Sequence, residues 1–412
     1  MLDEVLPYSL VPGHPGVFVC GCFERWVSIQ LQATRGHNLA WALVETQRLR
    51  PGQRAAVIGG GFAGLAAAAS LGRKGIQVTL FERAPCLLAT QRDNRTRWIH
   101  PHLHEWPRPG SRNSRAGLPL LDWHAGLAAD MAAEVLSAFE VEVKRSGIVV
   151  ELSSTVALSG EEERVRVRRA QSDEAFDAAV LALGVGVEKS FGALPLASYW
   201  SDADIGTVRV GPLRHHLVTG IGEGGVIDTL YLRLAGFSHA ELADRLAEVE
   251  GMAAIEAELL IIEDELQGRT DVDANAHLHA RHAALRVPPA VDALLQRRLR
   301  SDTRVTLNGP EAFALAPRAD LFNRFILSRL LRLPGLDYVA GAVEDVTAQG
   351  EGWQVRLGGG RVLHVDRVNV RHGTVPSLAA AFPEIWAAYA PVRRALPHLT
   401  PRPAWPEGYF GP

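Results

Sequence analysis

A chain of 412 residues, 47% of them hydrophobic and 22% charged, has room for two or three domains with large buried cores. Its net charge of −3 gives no electrostatic reason to expect nucleic acid or an anionic membrane as a partner, and no apolar run reaches the roughly 20 residues of a membrane span. The three cysteines, Cys20, Cys22 and Cys86, can build neither a disulfide framework nor a complete zinc site. With no basic-then-apolar secretory pattern after Met1, a reducing, cytoplasmic setting is expected.

Residues 1–50 read as an N-terminal extension, with a strand somewhere in Val17–Ile29 and a helix over His37–Leu49. Ala55–Ile58 is a short buried strand, Gly64–Lys74 a helix and Ile76–Phe81 a second strand. Arg83 to Gly126 is mostly loop, and Ala128–Phe139 is helical. Val141–Arg169 alternates like two or three strands, and Ala178–Leu183 is a strand that stops at Gly184. A second strand–glycine–helix unit spans His215–Leu232. His239–Leu266 and Pro288–Leu299 are helical with no readable strand nearby, so 237–332 is expected to be a helical insertion. Strands return at Tyr338–Val346, Trp353–Leu357 and Val362–Val370, before a tail that is helical and then Pro-rich. A glycine turn, a β-meander and a strand ending in glycine thus occur twice. The boundaries expected are 1–50, 51–210, 211–375 and 376–412.

Val57-Ile58-Gly59-Gly60-Gly61-Phe62-Ala63-Gly64 matches G-x-G-x-x-G between a strand and a helix. Gly59 permits the tight turn, Gly61 lets the backbone approach a pyrophosphate, and Gly64 lets the helix pack closely on the sheet. Phe62 and Ala63 lie between this turn and the helix, whose N-terminal N–H groups favour phosphate. The next strand, Val78-Thr79-Leu80-Phe81, ends in Glu82, about 20 residues on, where a carboxylate suits a ribose diol. With Glu82-Arg83 included, the segment resembles the FAD-binding motif of amine oxidases, glutathione-reductase-like enzymes and flavin monooxygenases. That resemblance implies FAD, with Glu82 on the adenosine ribose and Arg83 or a nearby loop residue near the phosphates; NAD is the runner-up. Ala179-Val180-Leu181-Ala182-Leu183-Gly184 resembles the strand that returns beside the cofactor in the same flavoproteins, with Leu183 replacing the usual threonine.

Leu217-Val218-Thr219-Gly220-Ile221-Gly222-Glu223-Gly224-Gly225 repeats G-x-G-x-x-G. Three readings stand: an NAD(P)H-binding turn, resembling that of thioredoxin-reductase-like proteins; a segment closing over the flavin ribityl chain, with Glu223 in place of aspartate; or a structural turn. The loop Arg95–Pro107 is dense in Arg, His and Trp. Arg97 is expected to neutralise a phosphate or substrate carboxylate, and Trp98 and Trp106 to wall the flavin, with His100, His102, Trp106 and His372 lining a substrate site. If extended, His100, His102 and His104 would share a face that suits a metal, but no partner ligand is identifiable and no metal is expected.

The fold expected is α/β: an FAD-binding Rossmann domain with a β-meander, then a second related α/β domain carrying a helical insertion. The activity expected is hydride transfer through flavin on a small organic substrate such as an amine or amino acid. The alternatives are an NAD(P)H-driven flavin monooxygenase or reductase, and a non-catalytic nucleotide-binding regulator. No Cys-x-x-Cys is present for disulfide exchange.

Overall fold

The computed structural model describes residues 2–23, 27–161, 164–170, 172–192, 194, 198–201 and 204–411. The chain divides into two compact units. Unit 1 is 1–95, 115–187 and 374–412; unit 2 is 96–114 and 188–373.

In unit 1, β1 is Val17–Val19, α1 Ile29–Glu45, β2 Arg54–Ile58, α2 Phe62–Arg73 and β3 Gln77–Phe81. They are followed by α3 (Ala128–Ser146), β4 (Val149–Glu151), the meander β5 (Ala157–Glu161), β6 (Arg164–Arg169) and β7 (Ser172–Phe176), and β8 (Ala178–Leu181). The main sheet has the order β1-β8-β2-β3-β4, every pair parallel. Such a sheet is buried on both faces, which explains the short, continuously apolar strands. The Ala-rich α2 is buried from Phe62 to Gly72, and its small side chains bring α1 close. A Cβ on Gly36 of α1 would stand 2.3 Å from the Ala63 carbonyl oxygen.

The N-terminal extension and the C-terminal tail are therefore parts of unit 1. The extension adds the edge strand β1 and the covering helix α1, which begins at Ile29 rather than His37 because Ser28 caps it by accepting from the Leu31 N–H. Residues 24–26 of the expected first strand lie outside the described residues. The tail contributes Leu378, Phe382, Ile385 and Tyr389 to the core of β1, β2 and β8. Helix α3 runs to Ser146, through residues whose alternation suggests a strand. It ends where Gly147 takes φ 65° and donates to the Val143 carbonyl.

In unit 2, β9 is Arg214–Thr219 and α4 Glu223–Arg233. The helices α5 (His239–Ala247), α6 (Met252–Leu266), α7 (Ala274–Ala284) and α8 (Pro289–Gln296) follow, then β10 (Thr303–Gly309), α9 (Leu321–Leu330) and β11 (Leu336–Ala340). The meander β12 (Val343–Gln349), β13 (Gly352–Leu357) and β14 (Arg361–Val365) leads to β15 (Arg367–Val370). The sheet order is β11-β10-β9-β15, again all parallel. This is the order of β4-β3-β2-β8 in unit 1, so the coarse symmetry of the sequence is a repeated topology.

The insertion is shorter than expected. It ends before β10, which pairs along its length with both β9 and β11. The strand escapes a hydropathy reading because its polar residues point inward. Thr306 bonds His215 at 2.8 Å, and Asn308 accepts from the Thr219 hydroxyl at 2.8 Å. The expected strands Tyr338–Val346 and Val362–Val370 each divide. The first breaks at Gly341, where φ is 126°; the second breaks at Asp366, whose carboxylate accepts from the His215 N–H. Among the described residues no helix is long and apolar enough to cross a membrane.

Candidate dinucleotide sites

In unit 1, β2 leads into Gly59, whose φ is 113°. A Cβ there would stand 2.3 Å from the Ala182 carbonyl oxygen at the end of β8. A Cβ on Gly64 would stand 1.9 Å from the Gly59 carbonyl oxygen, so the first turn of α2 sits directly on the loop. Gly61 is different. Its φ of −87° and ψ of 179° suit any residue, and a Cβ would meet nothing within 4 Å. Gly59 and Gly64 shape the turn, while Gly61 leaves open space beside it, where a pyrophosphate would fit.

Glu82 follows β3 directly. Its carboxylate accepts from the Gly60 N–H at 2.5 Å and the Ala84 N–H at 2.6 Å, one on each oxygen. Each oxygen keeps lone-pair capacity for a ribose hydroxyl. Phe62 and Ala63 are buried in the first turn of α2, Arg83 is exposed, and Gly184 turns with φ 71° over open space. These residues fit the ADP half of FAD: the start of α2 would hold the pyrophosphate and Glu82 the ribose diol.

Unit 2 repeats this backbone. Gly220 has φ 118°, and a Cβ there would stand 2.2 Å from the Arg371 carbonyl oxygen at the end of β15. A Cβ on Gly225 would stand 1.8 Å from the Gly220 carbonyl oxygen. Gly222, with φ −79° and ψ −178°, caps α4 as Gly61 caps α2. Gly373, with φ 82°, takes the place of Gly184. Where the space beside Gly61 is open, Arg318 stands beside Gly222, its Cδ and Nε 3.7 Å from where a Cβ would be. Arg318 pairs with Glu311 at 2.7 Å.

Glu223 stands at the start of α4, but its carboxylate is engaged within unit 2. It accepts from the Asp320 N–H at 2.7 Å and the Asn323 side-chain amide at 2.6 Å. This ties α4 to the start of α9 and speaks against the one of the three readings in which Glu223 closes over a ribityl chain. Burial raises the pKa of Glu223, and burial together with Glu223 raises that of Asp320.

From Thr96 on, the Arg/His/Trp loop belongs to unit 2, and Arg97, Pro101, Leu103 and Trp106 are buried in it. Arg97 is fully buried. Its guanidinium lies 2.8 Å from Asp228 of α4 and 3.8 Å from the centre of the Tyr199 ring. Arg371 reaches the other oxygen of Asp228 at 2.8 Å. Two guanidiniums thus share one carboxylate beside Tyr199, whose phenol is pushed up by burial. A phosphate or substrate role for Arg97 is set aside, because its charge is spent inside the fold. Trp106 is likewise buried, edge-on to Phe322 and stacked on Phe325 at 5.2 and 5.9 Å, so it walls no flavin. The Trp98 N–H donates to the Tyr231 hydroxyl at 2.8 Å.

The three alternating histidines do not form an extended face. The His100 Nδ1 accepts from the N–H groups of both His102 and Leu103, which curls the segment into a short 3-10 turn. His372 is half-buried, its Nε2 2.7 Å from the Thr219 hydroxyl, which itself donates to Asn308. This chain of bonds joins the ends of β9, β10 and β15 beside the glycine turn of unit 2. Asp228, Glu311 and Arg318 were not singled out in the sequence. The acid–cation pair beyond Asn308-Gly309 becomes visible only once β10 is recognised as a strand.

Residues 54–188 match the family model described as FAD dependent oxidoreductase. No curated protein matches the chain. Among solved structures, a thioredoxin reductase from Lactococcus lactis is 11% identical, with 78% of this chain and 77% of that one covered and a TM-score of 0.43. A bacillithiol disulfide reductase from Staphylococcus aureus is 12% identical, with 81% and 80% covered and a TM-score of 0.44. The lysine monooxygenase NbtG from Nocardia farcinica is 14% identical, with 80% and 82% covered and a TM-score of 0.42. The glycine turn, Glu82 and the returning strand lie within the segment that matches the FAD dependent oxidoreductase model.

Proposed function

We propose that this chain is an NAD(P)H-driven flavin oxidoreductase in which unit 1 holds FAD and unit 2 holds the nicotinamide dinucleotide. The observation that carries the reading is the second glycine turn. Gly220 and Gly225 are forced to be glycine by backbone contacts of 2.2 and 1.8 Å, as Gly59 and Gly64 are by 2.3 and 1.9 Å. A merely structural turn has no need of Gly222, where φ and ψ suit any residue and the nearest atoms to a Cβ belong to the flexible Arg318 side chain, at 3.7–3.8 Å. The engagement of Glu223 with α9 speaks against a flavin-closing role for this segment.

Bound flavin supplies the capacity to accept a hydride and pass electrons on. The protein's part is to orient the two nucleotides through their phosphates and riboses and to keep water from the reacting atoms. The acceptor is a small organic molecule or oxygen rather than a disulfide. Cys20 and Cys22 are buried, with the Cys22 thiol donating to the carbonyl of Cys20, and Cys86 has no second thiol beside it in the sequence.

The test is anaerobic mixing of the FAD-loaded protein with NADH and, separately, NADPH. Loss of the oxidised-flavin absorbance with at least one of them is expected. An unchanged spectrum with both, in a protein that an amine or amino acid reduces, would replace this reading with the oxidase reading.

A further inference from the structure

The acid that reads the ribose in unit 1 has no counterpart at the same position in unit 2. Phe81 pairs with Ile58 and Asn308 pairs with Thr219, so the residue after each, Glu82 and Gly309, occupies the same place relative to its glycine turn. Glycine offers no side chain to a ribose. The space at that position is nevertheless taken: a Cβ on Gly309 would stand 3.1 Å from Glu311 Oε2 and 3.1 Å from the Tyr338 hydroxyl. The chain turns back at Pro310, and the Glu311 carboxylate returns to the spot that residue 309 leaves empty.

The two oxygens of Glu311 differ. Oε1 accepts from Arg318 at 2.7 Å. Oε2 is buried and has no hydrogen-bond partner. A buried carboxylate oxygen without a donor is costly, and a hydroxyl delivered by a ligand would relieve that cost. Tyr338 holds the same loop by donating to the Glu311 carbonyl at 2.6 Å. Arg318, fixed at one end by this carboxylate, runs alongside Gly222 where a pyrophosphate would lie.

We infer that Glu311 is the ribose-reading acid of unit 2, that it selects a dinucleotide with a free adenine-ribose diol, and that Arg318 is a pyrophosphate ligand. The inference rests on the reading of unit 2 as a nicotinamide-nucleotide site, and it names NADH rather than NADPH. A ribose 2′-hydroxyl donates to Oε2. A 2′-phosphate has no proton to donate and brings like charge against the carboxylate. Arg318 touches only what both nucleotides share, so it contributes affinity without discrimination.

The experiment is calorimetric titration of the FAD-loaded protein with NAD⁺ and NADP⁺, which bind without reducing flavin, and with AMP and 2′,5′-ADP as fragments. The wild type should bind NAD⁺ about tenfold or more tightly than NADP⁺, and AMP more tightly than 2′,5′-ADP. Glu311→Gln should weaken NAD⁺ by about tenfold while leaving NADP⁺ unchanged or tighter. Arg318→Met should weaken both nucleotides by a similar factor, with an unchanged melting profile in each variant. NADP⁺ binding more tightly than NAD⁺, or a ratio untouched by Glu311→Gln, overturns the inference and leaves the reading of unit 2 in place. Failure of the wild type to bind any of the four overturns both.

Discussion

Gly61 and Gly64 lie three residues apart in one motif, yet the structure gives them opposite reasons for being glycine. The pair Gly61→Ala and Gly64→Ala tests this directly. At Gly61 the backbone is in an ordinary extended region and the added methyl meets nothing within 4 Å. The apoprotein should therefore be unchanged or more stable by about 0.4–1 kcal/mol, because alanine restricts the unfolded chain. FAD should suffer instead, since the methyl occupies the space of close pyrophosphate approach. Overfilling a well-packed contact costs about 1–3 kcal/mol, or about five- to 150-fold in Kd. At Gly64 the methyl would stand 1.9 Å from the Gly59 carbonyl oxygen, a backbone atom that cannot swing aside. Helix α2 must then move off the turn, and a loss of about 3 kcal/mol or more is expected even without FAD. Urea unfolding of both apoproteins and FAD titration of Gly61→Ala by flavin fluorescence give the two numbers. If Gly61→Ala binds FAD within about twofold of wild type, or unfolds as easily as Gly64→Ala, the assignment of Gly61 to the ligand is wrong.

Glu82→Gln keeps the shape but loses the charge that attracts ribose hydroxyls and backbone N–H groups; hydrogen bonds to a charged group contribute about 1.5–3 kcal/mol, so FAD affinity should fall about ten- to hundredfold by the same titration. Asp228→Asn leaves the buried guanidiniums of Arg97 and Arg371 without their shared anion, a type of change that costs about 3–5 kcal/mol and should lower the melting temperature by several degrees; an unchanged melting curve would show that the charges are compensated elsewhere. His37 is buried against Ser70 at 2.7 Å, and burial lowers its pKa to about 3. The folded state therefore resists a proton that the unfolded chain accepts below about pH 6.5. The resulting stability is fully present above that pH and is lost as pH falls towards 3, at up to about 1.4 kcal/mol per pH unit. Replacing His37 by asparagine should flatten the pH dependence of urea unfolding between pH 6 and 4 by that slope, and an unchanged slope would show that His37 titrates freely.

The FAD turn is legible in the sequence because every residue that makes it lies within a few positions of Gly59, and each is constrained by local backbone geometry. Strand β10 is not legible, because the signal used to find strands assumes that polar side chains face water. Thr306 and Asn308 face inward and are satisfied by His215, Thr219 and the carbonyls of Val339 and Gly341. Hydropathy cannot separate a satisfied buried amide from an exposed one. Arg97 misleads for the related reason that its partner Asp228 is far away in sequence: an arginine read alone looks like a phosphate ligand, whereas a buried pair neutralises it.

The repeated topology sharpens this. Counted from Gly61 and Gly222, Asp228 stands where α2 has Ala67, and Arg371-His372-Gly373 stands where β8 leads into Ala182-Leu183-Gly184. The glycines, and the carbonyls they press against, correspond in both units; the side chains around them do not. A glycine pattern therefore specifies a backbone cradle that suits any dinucleotide. What distinguishes one nucleotide from another lies just past the end of the second strand, where Glu82 is adjacent in one unit and Glu311 comes back from two residues further on in the other. No short motif spans that position, so any nucleotide preference of unit 2 has to be read from the pairing of β9 with β10 and from where the carboxylate beyond Gly309 comes to rest.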